Sequence, residues 1–354
     1  MTTLSRRALN RATLARQYLL ERSPTGALEA IEHLGGMQSQ APLAPYVGLW
    51  TRLRDFVPEE LSKLTEERRV VRLHLMRATV HLVSARDCLG WHGHFRRRLA
   101  TAIAPLVVGL RADPGEVGAE AARLLTEQPR TRGELGRILN ERWPGDDPGA
   151  LAFTAARELA ICQVPPRGLW GRGGPAVWAP VESWLGEPPR ATPIDDVVLR
   201  GLGAFGPATV ADLQMWSGLT RLAEVVERLP LRTFRSETDQ ILYDLPDAPR
   251  PDEDVPAPPR FLPEYDNLLL AHKDRSRFNP DRRTVPLPPG IGATTGTFLV
   301  DGLWRGTWQL RDQKLIIRPY GKEKLEPLLA EAESLVSFLA PGADIAVDVE
   351  PAAD

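Results

Sequence analysis

Two glutamines one residue apart, Gln38 and Gln40 in "GGMQSQAP", are the first residues whose type and spacing invite a chemical reading. A glutamine amide carries an acceptor and two donors, but it neither titrates nor attacks as a nucleophile. Two such amides can hold a water and aim carbonyl dipoles at developing positive charge without any acid–base work. Gly35-Gly36 precede the pair with the chemistry of a left-handed helix cap, and Pro42 and Pro45 follow it. Extended chain is therefore expected through the motif, where residues i and i+2 face the same way and would present both amides to one point. On spacing alone the pair also reads as two exposed loop glutamines, which is the commoner case.

A second cluster is the basic stretch "HKDRSRFNPDRRTVPL", with His272, Lys273, Arg275, Arg277, Arg282 and Arg283 as candidate DNA contacts. Its centre, Asn279-Pro280-Asp281, is turn chemistry. The flanks could form a hairpin with a basic shell, able to enter a minor groove or grip distorted duplex; a solvated surface loop is the plainer alternative. His92 and His94 stand beside "FRRR" without a neighbouring acid or cysteine, so no metal centre is expected. His74 and His81 sit in strand-like sequence. The chain has no phosphate-binding glycine loop, nucleophile elbow or zinc deaminase signature, and no cofactor is expected.

Around these residues, a chain of 354 residues suits several modules and not one core. Its apolar runs, such as "PLVVGL" at 105–110, are far shorter than the roughly 20 residues of a membrane span. The N-terminus is arginine-rich and periodic, with no apolar signal core, so a cytoplasmic protein is expected. Cys88 and Cys162 lie outside any metal or redox spacing and suit a reducing compartment. The net charge of −2 argues against a generally basic nucleic-acid binder. The charges are segregated, however: Arg6, Arg7, Arg11, Arg16 and Arg22 crowd the N-terminus, and acids crowd 247–266. A basic face on a near-neutral protein is possible.

Three segments repeat one order of elements. Helical patterns at 5–22, 25–34 and 59–67 precede a strand pair joined near Arg77. Helices at 131–143, opened by a Thr131/Glu134 capping box, and at 150–163 precede a hairpin over 169–180. Helices over 194–206, 208–218 and 219–229 precede a hairpin turning at 237–240. Helices followed by a hairpin are the winged helix-turn-helix plan. The expected architecture is α+β and mainly helical: winged helix 1 with the glutamine loop (1–90), a helical scaffold (91–126), winged helices 2 (127–190) and 3 (191–246), an acidic proline-rich linker (247–260) and a C-terminal β-barrel carrying the basic hairpin (261–354). Winged helices can also be protein–protein scaffolds, but three in tandem with a basic segment favour DNA, through salt-sensitive phosphate contacts.

"GGMQSQAP", "HLMRATVHLVSARD", "FLPEYDNLLLAHKDRSRF" and "GTFLVDGLWRGTWQL" together resemble the AlkZ-like family of bacterial DNA glycosylases, in the same order over nearly the whole chain. The resemblance implies tandem winged helices with a C-terminal barrel, excision of N-alkylated bases and unhooking of interstrand cross-links. It places the catalytic pair on Gln38 and Gln40, in the branch often tied to self-resistance against DNA-alkylating natural products, and a DNA-probing hairpin on 272–288. Ser39 departs from the aliphatic residue usual between the glutamines. For Arg77 the reading is a phosphate or lesion contact, or else a structural salt bridge; for His81, a packed strand residue. The implied partner is duplex DNA with alkylated or cross-linked bases, bound by a monomer away from any membrane. The alternative is a winged-helix regulator or a damage-binding protein without catalysis, and regulators usually dimerise on paired half-sites.

Overall fold

A computed structural model describes residues 1–284, 295–321 and 326–350. The protein is mixed α+β, with 44% helix against 19% strand, so helix predominates. It divides into two compact units: Met1–Val57 with Val198–Ser217 and Arg221–Asp354, and Pro58–Val197 with Gly218–Thr220. The first unit is discontinuous in sequence, so it gathers residues from several of the consecutive modules expected above.

In the second unit the strand pair near Arg77 is Val70–His74 against Val80–Ser84, antiparallel. Val70–His74 also pairs with Ile161–Val164, which pairs in turn with Val177–Pro180. Two of the expected wings therefore share one sheet. The helix expected over 150–163 stops at Glu158, and "ICQV" becomes a strand. The hairpin expected within 169–180 is corrected accordingly: Val177–Pro180 pairs back to Ile161–Val164, and 169–172 form turns. The capping box is realised, with Glu134 N donating to Thr131 Oγ1 and Thr131 N donating to Glu134 Oε2. Helices Pro114–Glu127, Arg132–Arg142 and Pro148–Glu158 bury Val117, Leu125, Leu135, Leu139 and Leu151 in one core. The long helix Ala85–Ile103 starts on Ser84, whose hydroxyl accepts from Asp87 N.

In the first unit the helix Arg6–Arg16 starts on Ser5 and is shorter than the pattern 5–22 suggested. Tyr18 takes φ 56°, which ends the helix. Arg16 is buried because Asp244 receives it through two hydrogen bonds, at 2.6 and 2.9 Å. The proline-rich segment expected as a linker is fastened to this helix: Arg7 Nε donates to Glu253 O and Arg11 Nε to Val255 O. The hairpin Arg232–Ser236 with Ile241–Asp244 forms as expected and takes Thr3–Leu4 as a parallel edge strand.

The C-terminal strands run in the order Arg260–Leu262, Gly296–Val300, Leu303–Arg311, Lys314–Pro319, Ala346–Val349. The two outer strands do not meet, so the expected barrel is an open five-stranded sheet among the described residues. The helix Glu326–Leu339 covers one face, burying Leu328, Ala332 and Leu335 against Phe261, Phe298 and Ile317. A sheet with one face packed on a helix has no need to close to hide its apolar side. The first residues of the helix expected over 322–339 lie outside the described residues.

Candidate active site

The glutamine segment follows the short helix Ala27–His33. Gly35 and Gly36 take φ of 67° and 86°, the left-handed conformation that only glycine adopts without strain. They turn the chain into the two-residue strand Met37–Gln38. Gln38 is 8% exposed and Ser39 is fully buried, whereas Gln40 lies on a bend and is exposed. Three buried residues in a row are not the alternation of a strand. The strand ends at Gln38 and the chain bends at Gln40, and the two glutamines differ in burial where extended geometry would have given them one environment.

Gln38 lines a cavity of about 20 Å³ together with Gln17, Gly36, Arg52, Asp266 and Asn267. Arg52 organises its wall. Its Nη1 donates to Gly48 O and Asp266 Oδ2, both at 3.0 Å, and its Nη2 donates to Asp266 Oδ1 at 2.9 Å and Gln17 Oε1 at 3.2 Å. The Arg52 and Asp266 side chains are 2% and 5% exposed. Asp266 Oδ1 also accepts from Leu268 N, so both carboxylate oxygens are occupied. Glu264, in the same loop, has its carboxyl pushed up by burial but does not line the cavity. Such a site is rich in fixed dipoles and poor in available bases.

Sequence reasoning missed Gln17, Arg52 and the site role of Asp266 and Asn267. A signal existed for one of them: Arg52 interrupts the apolar run "YVGLWTRL", and a charge in such a run is either a surface break or a buried, paired group.

The basic stretch splits. Lys273, Arg282 and Arg283 are exposed and Arg275 is half-buried. His272 and Arg277 are buried, and their expectation as DNA contacts is corrected. His272 Nε2 lies 3.0 Å from Phe205 O, and burial, then the Arg277 charge, pushes its pKa down to about 4. Arg277 Nη1 donates to Thr13 Oγ1 and Pro207 O, both at 3.1 Å. The turn forms as its residues suggest: Asn279 Oδ1 accepts from Arg283 N and Asn279 Nδ2 donates to Arg283 O. Over 272–284 the flanks carry a single 3-10 turn, Arg275–Arg277, and no strand pair. The remainder of the expected hairpin, 285–288, lies outside the described residues.

Arg77 and Ala78 both take positive φ, 55° and 59°, at the tip between Val70–His74 and Val80–Ser84. Arg77 Nη2 lies 3.3 Å from His81 Nε2. His81 is fully buried, and burial followed by the Arg77 charge pushes its pKa down to about 3. Its ring is therefore neutral, with Nδ1 donating to Thr79 O at 2.9 Å and Nε2 left to accept from Arg77. Among the described residues no group of histidine, cysteine and carboxylate side chains could hold a metal, and no helix is long and apolar enough to cross a membrane.

Residues 31–338 match the family described as DNA glycosylase AlkZ-like. The chain belongs to that family. It is accordingly a DNA glycosylase, an enzyme with DNA as its substrate, and the reading as a non-catalytic regulator falls away. The AlkZ-like match begins seven residues before Gln38 and runs through the loop carrying Asp266 and the whole basic stretch. The structure resembles Streptomyces sahachiroi DNA glycosylase AlkZ with a TM-score of 0.77 over 99% of this chain and 100% of that one. The two are 19% identical, so this likeness speaks to the fold. No curated protein matches the sequence.

Proposed function

We propose that this AlkZ-like protein hydrolyses the N-glycosidic bond of cationic N7-alkylguanine and unhooks interstrand cross-links built on such bases, using Gln38 and Gln40 with water as nucleophile. The observation that carries the reading is the cavity of about 20 Å³ beside Gln38. That space suffices for one water, which needs roughly 10–15 Å³. It is more than tenfold below the roughly 300 Å³ at which small-molecule pockets begin. A water held there by the buried amide suits attack on C1′, and the damaged base stays outside. A base tethered to the opposite strand cannot swing into a deep pocket, so a cavity this small beside Gln38 suits a cross-link.

The chemistry accounts for a cavity whose one lining carboxylate, Asp266, is already paired with Arg52. Alkylation at N7 makes guanine a cation that departs without protonation. What the enzyme must supply is an oriented water and dipoles facing the oxocarbenium-like sugar. In this account Gln38 orients the water, and the exposed Gln40 offers its carbonyl to the positive charge. Lys273, Arg275, Arg282, Arg283 and Arg77 supply phosphate contacts. The protein acts as a cytoplasmic monomer without metal or cofactor, protecting a cell from an alkylating natural product. No lysine is among the residues lining the cavity, so no Schiff base is expected and the product is an intact abasic site.

The test is base release from duplexes carrying one N7-methylguanine, one uracil or one N7-linked interstrand cross-link. Release of N7-methylguanine and unhooking of the cross-link, with uracil untouched, are expected. Equal release of uracil would overturn the requirement for a cationic leaving group.

A further inference from the structure

We infer that the buried Arg52–Asp266 pair is the positioning device of Gln38, fixing the cavity wall while keeping the region beneath the glutamine electrically neutral. The inference rests on the proposed catalytic role of Gln38.

Three segments of the first unit meet at this guanidinium, and a fourth is tied to them through Asn267. Arg52 follows the helix Ala44–Trp50 and returns to it through Gly48 O. Through Gln17 Oε1 it holds the end of the helix Arg6–Arg16, and Gln17 Nε2 is itself fixed by donating to Ala204 O at 2.8 Å. Through both oxygens of Asp266 it holds the loop entering the 3-10 turn Asn267–Leu269. From that turn Asn267 Nδ2 reaches Gly36 O, immediately before the strand Met37–Gln38. Gly48 marks how tight the junction is. A Cβ added there would lie 2.4 Å from Met37 Cε, 3.6 Å from Pro263 Cγ and 3.7 Å from Arg52 Nη1. Gln17, Arg52, Asp266 and Asn267 all line the cavity with Gln38, so the polar network and the glutamine share one wall. A site held by a rigid supporting shell keeps its geometry to a fraction of an ångström, and a loose shell loses rate before it loses fold.

The charge balance has its own consequence. A lone guanidinium beneath the reacting sugar would oppose the positive charge that develops there, so Asp266 is needed as its counter-charge as well as its clamp. Lysine cannot replace the arginine, since an ammonium is a point charge without the planar fork that spans two carboxylate oxygens, Gly48 O and Gln17 at once.

The experiment compares wild type, Arg52→Lys, Gln38→Ala and the double variant in single-turnover release of N7-methylguanine from duplex DNA, with duplex affinity and melting temperature measured alongside. The Gln38 side-chain amide resonance, identified by its loss in Gln38→Ala, is followed in 15N-labelled protein. Arg52→Lys is expected to slow release at least tenfold, to leave duplex affinity within twofold and to shift the Gln38 amide resonance. In the Gln38→Ala background it is expected to slow release by less than twofold. An equal slowing in both backgrounds, or a Gln38 resonance that does not move, would overturn the inference. Should Arg52→Lys fail to fold, Gln17→Ala, which removes one Nη2 acceptor and the bond to Ala204 O but leaves the Arg52–Asp266 pair in place, is held to the same criteria with a threefold threshold. If Gln38→Ala releases base at the wild-type rate, the catalytic reading itself has failed, an outcome distinct from failure of Arg52 alone.

Discussion

Arg277 and Lys273 lie four residues apart in one basic stretch and are predicted to behave in opposite ways. Arg277→Ala removes a guanidinium that is 5% exposed and whose Nη1 donates to Thr13 Oγ1 and Pro207 O. Hydrogen bonds from a charged donor contribute about 1.5–3 kcal/mol each, and the truncation also leaves both acceptors buried and unserved. A loss of roughly 3–5 kcal/mol follows, which at about 2–4 °C per kcal/mol lowers the melting temperature by roughly 10 °C. Lys273 is exposed, so Lys273→Ala should leave the melting temperature within about a degree. It should instead reduce the salt dependence of duplex binding by about one counterion. The assay is thermal unfolding by circular dichroism, with duplex affinity measured between low and physiological salt. If Arg277→Ala melts like the wild type and loses the salt slope, the division of this stretch into core and surface is wrong.

Acid should destabilise the fold. His81, His92 and His272 are held at about 3, 4 and 4 because burial disfavours the imidazolium, against an ordinary value of 6.5. Folded values below unfolded ones mean that the unfolded chain binds more protons between pH 6.5 and about 4, so stability is lost as pH falls across that window. At pH 5, His272→Gln should reduce the slope of unfolding free energy with pH by about 1.4 kcal/mol per unit; an unchanged slope counts against a neutral buried ring. Thr131→Ala removes the acceptor of the realised capping box and should cost about 1 kcal/mol in urea unfolding, with no effect on base release.

Much of the fold was legible where local chemistry dominates. The capping box at Thr131, the double glycine at 35–36 and the turn at Asn279 all form as their residue types require. Partnerships between distant segments were not legible. Nothing local indicates that Val70–His74 will pair with Ile161–Val164, or that the last strand leaves the sheet open. The basic stretch shows the same limit at the level of side chains: composition counts His272 and Arg277 as surface charge, and only the packing around Phe205, Pro207 and Thr13 reveals that they are core. At the glutamines, type and spacing suggested dipole chemistry, while the wall of Gln17, Arg52, Asp266 and Asn267 comes from three separated stretches and could not be assembled from the motif.

The most direct measurement is strand cleavage by alkali at a single N7-methylguanine after incubation with wild type, Gln38→Ala and Gln40→Ala under single-turnover conditions. Loss of one oriented dipole at a site of developing charge costs about 10²–10³ in rate. A fall of that size is expected in each variant, larger for Gln38, which lines the cavity, with duplex affinity retained in both. Full cleavage by both variants would contradict it.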